Sequence, residues 1–506
     1  MKIATPKILP NISTQNITHK TAFFLIFFSI FSWGCTAKTN SNKVDLPYST
    51  INPQAIQLDL HPQEEGIGGL ITIDINDDDQ KDFIVTKPGH IAVYNHSGKK
   101  LWTKQINIQV AGHPNQQGLP GWHGPGIQAA DVDGDQKTEV LFLTKDNTLH
   151  IVHGVNGETQ QTLKLSSPEG TERWEHLVIA NFRGEGDRDL LLQATNAEGY
   201  RIGRYLAAYA VDDLIQEESP KPLWTRDDFI ANAHNGARVA DLDGDGIDEV
   251  LGGMIVNSKG ETLFQIPLKG HIDSLFVADV RPDIPGLEVV VLEEGGKQKR
   301  IIPGNNSISS LGNRIVNRLA PGGNRIFLYN YERLIWETHY QHQEPQNAAV
   351  GDFDPKRPGL EIWCRSRYNE HQKPFIFDAQ GKLIAKYEMD DVAPEGWTNQ
   401  GVEVIFTIDW TGESKQLAAA KERHKSGDIA IFDPISGQFL HKLKQKADRL
   451  YVADVSGDWR EELIVLNGNQ LHIYYNSEVN PNPDHPRLWT QNHYRRSKMT
   501  WNYYSP

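Results

Sequence analysis

The chain has 506 residues, 38% of them hydrophobic, and a formal net charge of -14. That length suits one large repeat domain or about two to three ordinary ones, and a mean hydropathy of -0.51 reads as a soluble globular body. The acidic balance argues against nucleic acid as a partner, because phosphate binding needs clustered Lys and Arg.

The first element is a leader. Lys2, Lys7 and Lys20 precede the apolar run TAFFLIFFSIFSW, which is too short to span a membrane stably and suits the h-region of an export signal. The run ends at Gly34-Cys35. A small residue followed by Cys resembles a bacterial lipoprotein signal, in which the Cys is lipidated; Ser32 departs from the usual Leu, and ordinary secretory cleavage nearby is the alternative. Residues 1–35 are therefore expected as a lipoprotein-type signal, 36–55 as a polar tether and 56–506 as the folded domain, exported as an anchored lipoprotein (periplasm or cell surface) or else secreted. The one other cysteine is Cys364. Once Cys35 is acylated no intramolecular disulfide can form, and stability must come from packing and metal. The domain is expected to be a monomer.

Along the domain one pattern recurs: an alternating apolar stretch, an acidic loop, a second apolar stretch, a turn and a third. The second copy reads GPGIQAADVDGDQKTEVLFLTKDNTLHIVHG and the fourth GARVADLDGDGIDEVLGGMIVNSKGETLF. Short period-2 runs cut by Gly, Asn and Asp are strands in meanders. The loops begin at Asp74, Asp131, Asn181, Asp241, Asp279, Asp352, Asp409 and Asp454, spaced from 38 (Asp241 to Asp279) to 73 residues (Asp279 to Asp352). Four short strands need about 40 residues, so each copy is one blade of an all-β propeller. Eight copies predict eight blades; degeneracy in the third and seventh leaves seven open.

Three loops have the form D-x-[DN]-x-D-x-x-x-[DE]: Asp74, Asn76, Asp78, Asp82; Asp131, Asp133, Asp135, Glu139; and Asp241, Asp243, Asp245, Glu249. Alternate oxygen ligands in a tight loop suit Ca2+. Flanking strands in place of helices resemble the FG-GAP repeats of integrin-like propellers. The competing reading, a carboxylate-rich turn satisfied by its own amides, fits the Asn181 copy best, and Asp454, Ser456, Asp458 and Glu462 form a weaker loop. These sites read as structural, on one rim of the disc.

Counting back from each loop to the start of its strand reaches the opposite rim, since strands rise about 3.3 Å per residue. There lie His123, His176, His234 and His271 in copies two to five, with Gln346 and Arg449 in the same slot of copies six and eight. A single such His is more often polar lining. Four in one arc point to base, acid or metal-ligand chemistry, with Zn2+ held by two or three of them as the competing reading. Tyr200 and Arg204, then Arg365 and Arg367, then Lys421, Arg423 and His424 converge on the same rim as cations and a phenol.

Copies five, six and eight contain VADVRPDIPGLEVVVLEEGG, VGDFDPKRPGLEIWCRSR and VADVSGDWREELIVLNGNQLHIYYN. These strings, and the chain end RLWTQNHYRRSKMTWNYYSP, resemble the rhamnogalacturonan lyases of polysaccharide lyase family 11, which are eight-bladed and calcium-rich; the histidine mouth leans toward the propeller ulvan lyases. The resemblance covers roughly residues 60 to 505. It implies a lyase that cleaves an acidic rhamnose- and uronate-containing polysaccharide by β-elimination. His123 and His234 are the expected bases, Tyr200 or another histidine the acid, Arg204 and then Arg365 the carboxylate partner, with His176, His271, Arg365 and Arg367 contacting substrate. A non-catalytic binding or adhesion propeller is the second reading. A hydrolase is the third: Glu293 and Glu294 are adjacent on a strand and point to opposite faces, a poor carboxylate pair across one bond.

Overall fold

The apolar runs pair as antiparallel meanders because each alternates faces and is cut by turn residues. The computed structural model describes residues 45–59, 69–108, 126–195, 202–230, 236–295, 324–338, 345–366, 373–395, 397, 404–422 and 427–499. Their strands form eight sheets of four, an eight-bladed propeller, and seven blades are thereby excluded. The innermost strands of blades 1 to 8 are Gly69–Ile73, Ile127–Ala130, Trp174–Ala180, Arg238–Ala240, His271–Ala278, Pro345–Gly351, Val404–Ile408 and Arg449–Ala453. Seven blades take their strands in sequence order; in the eighth, Gln54–Gln57 supplies the outermost strand, pairing Ile56 with Leu471. The two ends of the domain thus close one sheet, which removes free edges between blades.

The core is a ring of eight apolar clusters, each shared by two consecutive blades. Ile71, Ile84 and Val93 of blade 1 meet Ile127, Val140 and Phe142 of blade 2, and Leu70 and Phe83 of blade 1 meet Tyr451 and Ile464 of blade 8. A clamp recurs at the periphery. The outer-strand Trp102, Trp224 and Trp336 donate to Gly154 O, Ser258 O and Ala379 O of the following blade. Each ring lies under a glycine, Gly157, Gly260 or Gly381, whose φ is positive and whose added Cβ would strike it.

Two features depart from the expected outline. Part of the stretch read as tether packs on the propeller: the Tyr48 hydroxyl donates to Asp428, the Ser49 amide donates to Lys442 O, and Gln54 and Ala55 begin the closing strand. The all-β outline also carries a C-terminal helix, Asn492–Met499, with Arg496, Lys498 and Met499 buried. It lies along the central channel. Gln128 of blade 2 and Tyr451 of blade 8 donate to Met499 O and Lys498 O, and Lys498 donates to Thr407 O of blade 7. Arg496 grips Asp248 and Asp187 of blades 4 and 3. No helix among the described residues is long and apolar enough to cross a membrane.

Candidate functional sites on the two rims

Every acidic loop joins the first strand of a blade to its second, so all eight lie on one rim. In blade 2, Asp131 accepts from the amides of Gly134 and Gln136, and Glu139 accepts from Val132 N through Oε2. Gly134, at φ +80°, makes the turn that points these amides inward. Glu139 Oε1 is buried with no hydrogen-bond partner among the described residues, an orphaned acceptor that a cation would satisfy. Burial, reinforced by the neighbouring acids, raises Glu139 to about 7, and Glu249 of blade 4 to about 8. Ligand atoms of Asp131, Asp133 and Glu139, and of Asp241, Asp243 and Glu249, each lie within 4.8 Å of one another. Asp135 turns instead to Lys137. In blade 1 the loop is made without glycine: Asp77 and Asp79 take φ +59° and +65°. Asp74 there accepts from the amides of Asp78 and Asp79, Asn76 donates to Asp78, and Asp82 accepts from Ile75 N and His96 N.

The weaker loop of blade 8 and the degenerate loop of blade 3 carry their own cation. In blade 8, Arg487 Nε donates to the buried Asp454 at 2.7 Å. In blade 3, Arg183 Nε donates to Asp189 at 2.6 Å. A guanidinium thus stands where blades 2 and 4 offer open carboxylates.

The opposite rim is built differently. Blade 5 brings together His271, Asp273 and Glu294, whose ligand atoms lie within 4.8 Å of one another. His271 Nε2 is 2.9 Å from Glu294 Oε2 and 3.5 Å from Asp273 Oδ1. Cross-strand pairing sets His271 opposite Glu294, and a register shift between Ile272 and Ser274 makes Asp273 the extra residue of a bulge. Bulges re-aim side chains at functional edges. Burial disfavours charge on His271, but its hydrogen bonds to Asp273 and Glu294 and their negative charges outweigh it and raise its pKa to about 9. One half-buried imidazole and two buried carboxylates, convergent, form a donor set that fits a divalent cation.

Blades 6, 7, 8 and 1 contribute buried cations at the same level: Arg365, Lys421, Arg449 and Lys87. Lys421 donates to Ala447 O at 2.6 Å, Arg449 to Asp448 O at 2.8 Å and Lys87 to Gly468 O. Burial lowers Arg449 to about 10, with Asp448 only partly offsetting it, and lowers Lys87.

A model of the C-terminal domain of rhamnogalacturonan lyase family 11 matches residues 216–311, which contain the whole trio. The chain resembles that family. The rhamnogalacturonan endolyase YesW of Bacillus subtilis (strain 168) is 25% identical over 456 residues, covering 80% of this chain and 63% of that protein. The rhamnogalacturonan exolyase YesX of the same organism is 24% identical over 441 residues, covering 76% and 64%. The chain thus spans a little under two thirds of the length of these curated relatives. Among solved structures, the exotype rhamnogalacturonan lyase YesX superposes with a TM-score of 0.60 at 19% identity, covering 88% of this chain and 81% of that one. A Bacillus licheniformis rhamnogalacturonan lyase gives 0.59 at 18%, covering 89% and 81%. The likeness to family 11 therefore extends over the propeller.

Several expected site residues are relocated. His176 is fully buried, with Nε2 3.0 Å from Ala237 O of the next blade. It fills the space over Gly236, where an added Cβ would sit 2.0 Å from its ring. That space holds a packed imidazole, so His176 joins blades 3 and 4 there. Arg204 is exposed on the third strand of blade 3, away from the innermost strands. Glu293 is engaged by Arg325 and is not available as a carboxylate for hydrolysis. His123, His234, Tyr200, Arg367, Arg423 and His424 lie outside the described residues, as does the side chain of Gln346. Asp273 and Glu294 were not singled out as ligands. Their signal was an acid inside an otherwise apolar strand, IDSLFVA and EVVVLEE, where an unexplained charge marks a site.

Proposed function

We propose that this chain is a polysaccharide lyase that cleaves an acidic, rhamnose- and uronate-containing polymer by β-elimination at the mouth opposite the acidic loops. The carrying observation is the convergence there of the His271–Asp273–Glu294 trio with four buried cations on consecutive blades. A uronate polymer brings a carboxylate on each acidic sugar, the charge complement of such a cluster of cations. The printed activities of YesW and YesX support the same reading.

Elimination removes the C5 proton and expels the C4 oxygen. Charge developing at C5 must delocalise into the C6 carboxylate, so that group must be neutralised. A divalent cation at the trio, when bound, supplies such charge; Arg365, Lys421 and Arg449 supply it from the protein. The proton acceptor must be neutral near pH 7. His271, paired with Glu294 and Asp273, is set aside for the cation site, and the acceptor role is assigned to His123 or His234. The test is a panel of rhamnogalacturonan and ulvan, read by ultraviolet absorbance of unsaturated uronate ends. Unsaturated product from rhamnogalacturonan is expected. No product from either, together with retained polymer binding, replaces the reading with a binding propeller.

The open loops of blades 1, 2 and 4 are proposed as structural Ca2+ sites, supported by their all-oxygen donors and by the orphaned Glu139 oxygen. The zinc reading is weaker: of the imidazoles it needs, His271 alone among the described residues joins the trio. The protein is further proposed to be lipid-anchored through Cys35, and Cys35→Ser should move it from the membrane to the soluble fraction.

A further inference from the structure

Glu293 takes no part in the trio, yet it is the most heavily engaged carboxylate beside it. It is fully buried, next to Glu294 on the second strand of blade 5. Arg325 Nε donates to its Oε2 at 2.7 Å and Nη2 donates to its Oε1 at 3.0 Å, a two-point clamp. Its Oε1 also accepts from the amides of Lys269 and Gly270, the latter at 2.8 Å. Arg325 Nη2 donates to Pro267 O at 2.8 Å, and the Glu293 amide donates to Arg325 O at 2.8 Å. One ion pair therefore fixes the turn 267–270 that leads directly into His271, and fixes the strand position preceding Glu294. The bulge at Asp273 makes that anchoring consequential, because a bulged strand lacks one regular ladder contact to set its register.

We propose that Glu293, clamped by Arg325, is a positioning residue that sets the metal affinity of the His271–Asp273–Glu294 trio. This rests on the reading of the trio as a metal site. Supports of this kind hold ligands at their working separation, and their loss typically weakens binding about 10–100-fold. The ion pair also explains why a carboxylate and a guanidinium are buried together at the edge of a channel: an apolar pair could fill the volume but could not bind three backbone groups of the turn.

The test is Mn2+ titration followed by pulsed electron paramagnetic resonance, in which imidazole coordination is seen as nitrogen coupling. The acidic loops are oxygen sites, and His271→Ala identifies the part of the nitrogen signal that belongs to the trio. Glu293→Gln keeps shape and amide acceptors but loses the charge that Arg325 grips. It is expected to raise the Mn2+ Kd of the His271-dependent signal at least about 10-fold, while the Mn2+ bound without nitrogen coupling is unchanged. If Glu293→Gln unfolds, the double variant Glu293→Gln/Arg325→Met removes the stranded charge and must show the same loss in a folded protein. Wild-type Kd in these variants, with a signal that His271→Ala abolishes, overturns the positioning role. A nitrogen signal indifferent to His271→Ala overturns the metal reading of the trio.

Discussion

The two rims of the propeller are made from opposite ends of the same strands and solve opposite problems. On the acidic rim the loop of blade 2 caps itself: its first aspartate accepts from its own amides, and its closing carboxylate folds back on the same turn. Where an ion is not provided for, the chain supplies a guanidinium, as Arg487 does for Asp454. On the mouth rim no blade is sufficient. Blade 5 supplies the trio, and the cations come one by one from blades 6, 7, 8 and 1. Repetition serves stability, because every blade needs its turn closed. Chemistry depends on the positions where the blades differ. The two rims should therefore fail separately.

The largest effect belongs to the mouth. Asp273→Asn should leave the fold intact but cut the formation of unsaturated ends at least about a hundredfold, in the range of losing an essential acid–base or metal-orienting group. A matched measurement of Tm checks that the fold survives. Near-normal activity would place the chemistry away from blade 5.

On the acidic rim, excess chelator should lower Tm, and Asp131→Ala with Asp133→Ala should remove part of that calcium response. At free calcium about 100 times Kd, each occupied loop adds about 2.7 kcal/mol to the native state by mass action. Initial rates measured well below Tm should change far less than with Asp273→Asn. An unchanged melting curve in chelator would sink the structural-calcium reading, and an equal fall in rate would erase the division between rims.

A finer cut uses the built-in cation. Arg487→Ala strands the buried Asp454 carboxylate beside Glu462, which burial has already raised to about 8. A cost of about 1–3 kcal/mol is expected for losing a charged partner, and added Ca2+ should recover part of it, converting the eighth loop into an ion-dependent one. Loss of stability with no gain in calcium response would show that this loop cannot take the ion.

What could be read from the sequence follows the same division. The eight blades and their loops were legible because they repeat: the period-2 runs and the Asp spacing recur whatever each blade does. At the mouth, His271, the first residue of its strand, and the cations Arg365, Lys421 and Arg449 were legible. Asp273 was hidden by the bulge, which no alternation pattern reveals. His176 occupies the same slot, but its ring turns into the gap over Gly236 between blades 3 and 4, a packing choice set by a residue sixty positions away. The C-terminal helix escaped because NHYRRSKM has too few apolar residues to show a period; Tyr494 and Met499 join neighbouring apolar clusters, and the rest of its burial is ionic, through Arg496 on Asp248 and Lys498 near Glu461.

The smallest expected effect tests that reading of the mouth from its edge. Arg204 is a cation on the mouth-side half of its strand, and by spacing alone it is a natural partner for a uronate carboxylate. In the fold it lies on the third strand of blade 3 and is exposed. Arg365, Lys421 and Arg449 sit on first and second strands and are buried. A desolvated cation acts on a substrate charge through a lower effective dielectric than an exposed one, so the same unit charge is worth several times more there. Arg204→Ala should therefore behave as an ordinary surface substitution, within about 0.5 kcal/mol in stability and about twofold in rate. Arg365→Ala, assayed beside it, should cost at least about tenfold from losing a charge-assisted contact. Salt should narrow any Arg204 effect, because an exposed charge is screened over about 10 Å at 0.1 M ionic strength. If the two substitutions rank the other way, substrate lies across the outer strands of blade 3, and the boundary of the mouth must be moved outward from the channel.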